Sequence, residues 1–370
     1  MSEQAKVPVA AARTWSPEMD INFPICHLFY YPTQVVLVDD DPDFLDAVSL
    51  LLRRNLSYRL FRSAAQALIH VNNSNQQTDM IRRCYSSYKT GPFDSDTLNH
   101  IDINEIYKEV YNPARFSTPT VVVVDYSMPE MNGLEFCMSL TNPYVKKILL
   151  TGQADTDLAV QAFNEGLIDQ YISKKDQHLQ TKLNRSIANL QQHYFSRTFK
   201  LITDPVIANN QSRFINNPDF VNYFREILST RNIVEYYLID EPYSGFFLLD
   251  EKGTVSILLI LQEKKLQNHY RQCVADHAPN ELLQALANGS VIPLFNVANE
   301  QEKTDPGILQ NWKKYYVPAA RVSDRAAYHC AMLSGEQAKS LLRKYHPEDI
   351  APYSAHINAP QSGAGQKYLH

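Results

Sequence analysis

Five side chains capable of chemistry stand in the same local context in this sequence, each at the end of a short apolar run. Asp39 and Asp40 follow "VVLV" (35–38), Asp125 follows "VVVV" (121–124), Thr151 follows "KILL" (147–150) and Lys174 follows "QYIS" (170–173). Singly, each has an ordinary structural reading: an Asp that starts a turn, a hydroxyl that bonds a carbonyl, a solvated lysine. Jointly they suggest more. Three carboxylates in one crevice raise each other's pKa, so they ionise together only with a cation among them. Oxygen-only donors that leave room for water suit Mg²⁺.

What must position them is a sheet. The valines before Asp125 are apolar on both faces of a strand, the pattern of a strand inside a parallel sheet. Strands at 35–38, 58–62, 121–124, 147–150 and 170–173 alternate with helical segments, among them 64–71 and "LAVQAFNEGLI". The helix after the first strand carries Phe44, Val48, Leu51 and Leu52 on one face. Such alternation implies right-handed βαβ units and a doubly wound α/β sheet of the (βα)5 kind. If its order is 2-1-3-4-5, the first and third strands are neighbours. All five side chains then meet at the carboxyl edge, where these sheets place their chemistry.

The rest of the chain divides around this unit. Residues 1–33, with Pro8, Pro17, Pro24 and Pro32, are expected to form an irregular extension. The sheet unit spans 34–200 and is interrupted by an insertion at 73–117, far longer than one crossover needs. The insertion opens on the polar run "NNSNQQT" and contains one expected helix, with Ile103, Ile106, Tyr107 and Val110 aligned. Leu179, Leu183, Ile187, Leu190 and Tyr194 mark a long helix that covers the sheet and runs on toward the next domain. Residues 201–370 form an expected α+β domain: a helix at "FVNYFREIL", three strands within 235–262, the last two a hairpin, and a helix ending at Gly289. The tail "APQSGAGQKYLH" is expected to fray.

Composition excludes several classes. The 370 residues are 44% hydrophobic and 20% charged, with a formal net charge of −5. No run approaches the ~18 apolar residues of a membrane span. The N-terminus lacks a basic start followed by an apolar stretch, so no secretory signal is read. Five scattered cysteines, without C-x-x-C spacing, give neither a disulfide framework nor a zinc site. A soluble cytoplasmic protein is expected.

The motifs "VDDDP", "DYSMPEMNG", "LLTGQ" and "YISK" occur in that order, and the segment from 35 to about 190 resembles the receiver domain of two-component response regulators. The resemblance implies that Asp125 accepts a phosphoryl group from a partner histidine kinase. It implies that Asp39 and Asp40 hold Mg²⁺ with the Ser127 carbonyl as a further ligand, and that Lys174 pairs with the phosphoryl group. Thr151 and Tyr171 match the family's switch pair. Two departures stand out: Lys175 occupies a position where the family commonly has proline, and the insertion is atypical. Phosphorylation-dependent dimerisation is expected from the long helix and the flanking extension.

For 201–370 the obvious guess, DNA binding by a helix-turn-helix, finds little support. Sixteen Lys and Arg face eighteen Asp and Glu there, without the basic face of a DNA-binding domain. The runs "YYLIDEPYSGFFLLDEKG" and "WKKYYVPAARV" resemble an output module of quorum-sensing response regulators that lack a helix-turn-helix. A weaker pattern, Asp250 before the hairpin with Glu263 and Lys265 after it, looks like the metal and lysine set of PD-(D/E)-x-K nucleases. It keeps a nucleic-acid-binding or nuclease-like output open as an alternative, beside a scaffold that never takes phosphate.

Overall fold

The structure, a computed structural model, describes residues 27–74, 83–89, 97–152, 156–208, 210–240, 243–295, 305–323, 327–335, 337–338, 341 and 346–358. Most of the expected extension, most of the run "NNSNQQT" and the tail "APQSGAGQKYLH" lie outside the described residues.

Along the chain, strand β1 (Phe29–Tyr30) precedes β2 (Gln34–Val38), helix α1 (Pro42–Leu51), β3 (Tyr58–Phe61) and α2 (Ala64–Asn72). The insertion contributes β4 (Tyr85–Lys89), β5 (Thr97–Ile101) and α3 (Asn104–Tyr107). Then come β6 (Pro119–Asp125), α4 (Gly133–Met138), β7 (Lys146–Thr151), α5 (Thr156–Asn164), β8 (Gln170–Ser173) and α6 (Leu179–Thr198). The C-terminal part holds α7 (Lys200–Ala208), α8 (Pro218–Thr230), β9 (Ile233–Ile239), β10 (Gly245–Asp250), β11 (Val255–Gln262), α9 (Glu263–Ala275) and α10 (Asn280–Ala287). It closes with β12 (Val291–Pro293), α11 (Pro306–Gln310), β13 (Tyr316–Pro318), β14 (Ala320–Val322), β15 (Tyr328–Ser334) and α12 (Tyr353–Asn358).

The expected doubly wound sheet is present. Five parallel strands run in the order β3-β2-β6-β7-β8, which is 2-1-3-4-5 within the unit. Its β-branched runs are buried on both faces. Val36, Val38, Val122, Val124 and Leu149 pack toward α2, α4 and α5. Val35, Leu37, Val121, Val123 and Ile148 face Leu45 and Val48 of α1 and Leu183 and Ile187 of α6. Because Val38 lies opposite Val124, Asp39 and Asp125 leave adjacent strands at one level.

Three sequence expectations meet a different outcome. The extension is not irregular to its end: Phe29 and Tyr30 pair antiparallel with Tyr237 and Tyr236 of β9. The cause is aromatic, since Phe29 packs edge-on against Phe195 and Phe199 and would otherwise expose its ring. The insertion helix is one α turn followed by 3-10 turns at Lys108–Tyr111 and Pro113–Ser117, where Pro113 supplies no N–H to continue an α ladder. It buries Ile106, Val110 and Phe116 in the same core as the C-terminal sheet. That sheet is larger than three strands. Its antiparallel order is β1-β9-β10-β11-β15-β14, with the expected strands at its centre.

Candidate functional site

The loops after the sheet strands converge as the spacing requires. Ligand oxygens of Asp39, Asp40 and Asp125 all lie within 4.8 Å of one another. Asp39 and Asp125 are buried, while Asp40 stands at the solvent edge. Asp39 Oδ1 accepts from the Asp41 N–H at 3.0 Å, and Asp41 in turn caps α1 by accepting from the Asp43 and Phe44 N–H groups. This fixes the acidic turn between strand and helix. On the neighbouring strand, Asp125 Oδ2 accepts from the Ser127 N–H at 3.2 Å.

Lys174 reaches in from the end of β8. Its Nζ lies 2.7 Å from Asp39 Oδ2 and 2.8 Å from Asp125 Oδ1. Burial opposes the lysine's charge, yet hydrogen bonds to Asp125 and Asp39 lift its pKa above the ordinary lysine value. Burial is also the main influence on Asp39, whose carboxyl is pushed up to about 6 although Lys174 pulls the other way. One ammonium therefore does not fully offset the desolvated acids. The donor set, three clustered carboxylates with raised proton affinity in one of them, is one that a hard divalent cation would fit.

Thr151 ends β7 with its residue buried, and its carbonyl accepts from the Lys174 N–H at 3.0 Å. Tyr171 sits two strand positions before Ser173 with its ring at the surface, edge-on to Phe163 of α5 at 6.2 Å. The loop after Asp125 is held by close backbone approach. The Gly133 N–H donates to the Tyr126 carbonyl, and a Cβ on Gly133 would lie 2.4 Å from the Asp125 carbonyl oxygen. Only glycine fits there.

Sequence reasoning missed two contributors. Phe44 counts by periodicity as a core position, but its ring carries the Lys174 ammonium at 4.4 Å. Glu130 accepts from the Ser63 hydroxyl at 3.1 Å and the Ala65 N–H at 3.3 Å, tying the loop after Asp125 to the start of α2. Neither has a local signal, since both partners are distant in sequence.

The candidate set in the C-terminal domain is not assembled. Asp250 Oδ1 accepts from the Lys252 and Thr254 N–H groups, the work of a hairpin turn. Glu263 and Lys265 lie past the other end of β11, and eight strand residues span roughly 25 Å. Glu263 instead holds His329 Nε2 at 2.9 Å and accepts from Gln267. Asp250 is therefore not brought together with Glu263 and Lys265.

Comparison with known proteins follows the same division. The response regulator receiver domain family matches residues 93–184, from within the insertion to the first part of α6. Among solved structures, the chain is similar to the Legionella pneumophila response regulator LqsR at 32% identity, over 91% of this chain and 96% of that one, with a TM-score of 0.70. A response regulator receiver domain protein from Clostridium thermocellum shares 17% identity over 43% of this chain and 96% of its own, with a TM-score of 0.27. A CheY-like receiver domain protein from Methanospirillum hungatei shares 19% over 45% and 98%, with a TM-score of 0.30. No curated protein matches the sequence.

Proposed function

The chain belongs to the response regulators, and on that premise we propose that Asp125 is the carboxylate that receives a phosphoryl group from a partner histidine kinase. A carboxylate oxygen of Asp125 attacks phosphorus, the phosphorus–nitrogen bond to the kinase histidine breaks, and the imidazole leaves with the electron pair. Such transfer depends on positioning and charge neutralisation. The observation that carries the reading is Lys174 Nζ, poised within 2.8 Å of Asp125 and 2.7 Å of Asp39. It pairs with incoming phosphoryl oxygens once Asp125 is modified. Mg²⁺, held by Asp39, Asp40, Asp125 and the Ser127 carbonyl, would neutralise the remaining charge. The receiver catalyses nothing beyond its own phosphorylation and dephosphorylation.

The acyl phosphate carries about −2 and three acceptor oxygens. The Thr151 hydroxyl donates to it, and the Tyr171 ring, now at the surface against Phe163, moves into the room vacated. Phe163 is exposed beside that ring, and Leu158 and Val160 of the same helix are exposed as well. The change alters one apolar face, which supports a shift in dimerisation as the output. Moving such an equilibrium from 1:99 to 99:1 takes about 5.5 kcal/mol of preference.

Incubation with acetyl phosphate and Mg²⁺ tests the reading. Intact mass is expected to gain one phosphoryl group in the parent and none in Asp125→Asn, and light scattering to show dimer only in the parent. A parent that stays unmodified would make the scaffold reading correct.

A further inference from the structure

Away from the carboxylates, a cavity of about 440 Å³ opens between β3, an edge strand of the parallel sheet, and helix α2. Arg59 and Phe61 line it from the strand, and Gln66, Ile69, His70 and Asn73 from the helix. The Arg59 guanidinium sits over the Phe61 ring at 5.4 Å. Its Nη1 lies 3.4 Å from His70 Nδ1, and His70 Nε2 lies 2.7 Å from the Gln34 amide oxygen. Nε2–H therefore donates to Gln34, and Nδ1 turns its lone pair toward the arginine. The histidine holds the guanidinium in place without neutralising it. Among the described residues no carboxylate pairs with Arg59, and burial alone lowers its pKa. A half-buried cation that faces a cavity, with no anion beside it among the described residues, leaves room for one.

We propose that this cavity binds a small organic anion, its carboxylate or phosphate headgroup on Arg59 and its apolar body along Ile69. Ile69, 62% exposed at the rim, offers the apolar surface for that body. Gln66 and Asn73 supply amides at the rim for headgroup oxygens. The planar guanidinium suits either headgroup through paired N–H donors.

The test titrates phenylphosphate, phenylacetate and uncharged benzyl alcohol into the full-length protein without Mg²⁺, following the Ile69 methyl resonance and the heat of binding. Saturable shifts of Ile69 are expected with at least one of the two anions, and which one binds fixes the headgroup. Losing a charge-assisted bond in Arg59→Gln is expected to weaken binding about tenfold or more. Ile69→Asp, a surface change that puts a like charge at the rim, is expected to weaken it comparably and decides the matter if Arg59→Gln misfolds. Lys174→Ala is expected to bind as the parent does, which separates this cavity from the carboxylate site. No saturable shift, equal binding of benzyl alcohol, or parent-like binding by both rim variants overturns the proposal.

Discussion

At the scale of single residues, the carboxylate site is built at a cost to stability. Asp39 is 1% exposed, and burial raises its carboxyl from 3.8 to about 6 despite the ammonium beside it. A carboxyl with a raised native pKa keeps a proton that the unfolded chain has already lost, so native stability falls as pH rises from about 4 through about 6. Above that window the native site carries an ionised, poorly solvated acid. Asp39→Asn removes it. In urea titrations with EDTA at pH 7.5 the variant is expected to exceed the parent by about 1–3 kcal/mol. The gap should close near pH 4, and added Mg²⁺ should raise the parent's midpoint more than the variant's. Equal midpoints across the whole range would mean that Lys174 offsets the charge completely. These residues were legible because each ends a strand, and a strand's end is a local property of the sequence. Phe44 and Glu130 were not, because what defines them is a partner brought near only by the fold.

At the scale of elements, the insertion docks on the C-terminal sheet through apolar side chains and one buried ion pair. Arg115 Nε and Nη2 donate to the two carboxylate oxygens of Glu235 on β9 at 2.9 and 3.0 Å, with both side chains fully buried. Nη2 also donates to the Ala351 carbonyl, and the Tyr237 hydroxyl donates to Glu235. A desolvated charge is tolerable only with its partner. Glu235→Ala should therefore cost about 3–5 kcal/mol by leaving the guanidinium buried without a counter-charge. The paired change Arg115→Met with Glu235→Leu should cost clearly less, and urea midpoints of the three proteins check this. Additive losses in the double variant would show that the pair, and not the stranded charge, carries the stability. Helical and strand periods located α6 and the centre of the C-terminal sheet. They could not reveal a contact 120 positions apart, nor β15, whose run "YHCAMLS" hides a buried His329 among its apolar residues.

At the scale of the whole molecule, receiver and output are interlocked. β1 comes from before the receiver yet pairs with β9, and the insertion leaves the receiver between β3 and β6 yet buries Phe116 in the output core. Helix α6 covers the receiver sheet with Leu183 and Ile187 and then contributes Tyr194 and Phe195 to that same core. At the far end of the chain, Tyr353 donates to the Asn55 carbonyl, and His356 Nε2 meets the Ser57 hydroxyl at 3.0 Å, both on the loop that leads into β3. The output core is thus made of segments from both sides of the receiver, and the 201–370 stretch lacks several of its pieces. That fragment alone would expose the β9 edge and the apolar ground beneath Phe29, Ile106 and Phe116. It is expected to bind a hydrophobic dye and to melt without a cooperative transition, whereas a chain trimmed to 27–358 should melt sharply. The consequence for the proposed signalling is specific: if Asp125 takes the phosphoryl group, its message would travel through a packed body and not by release of a tethered domain. A cooperative melt and native-like near-ultraviolet dichroism for the isolated 201–370 fragment would show instead that the output folds by itself, and domain release would again be open.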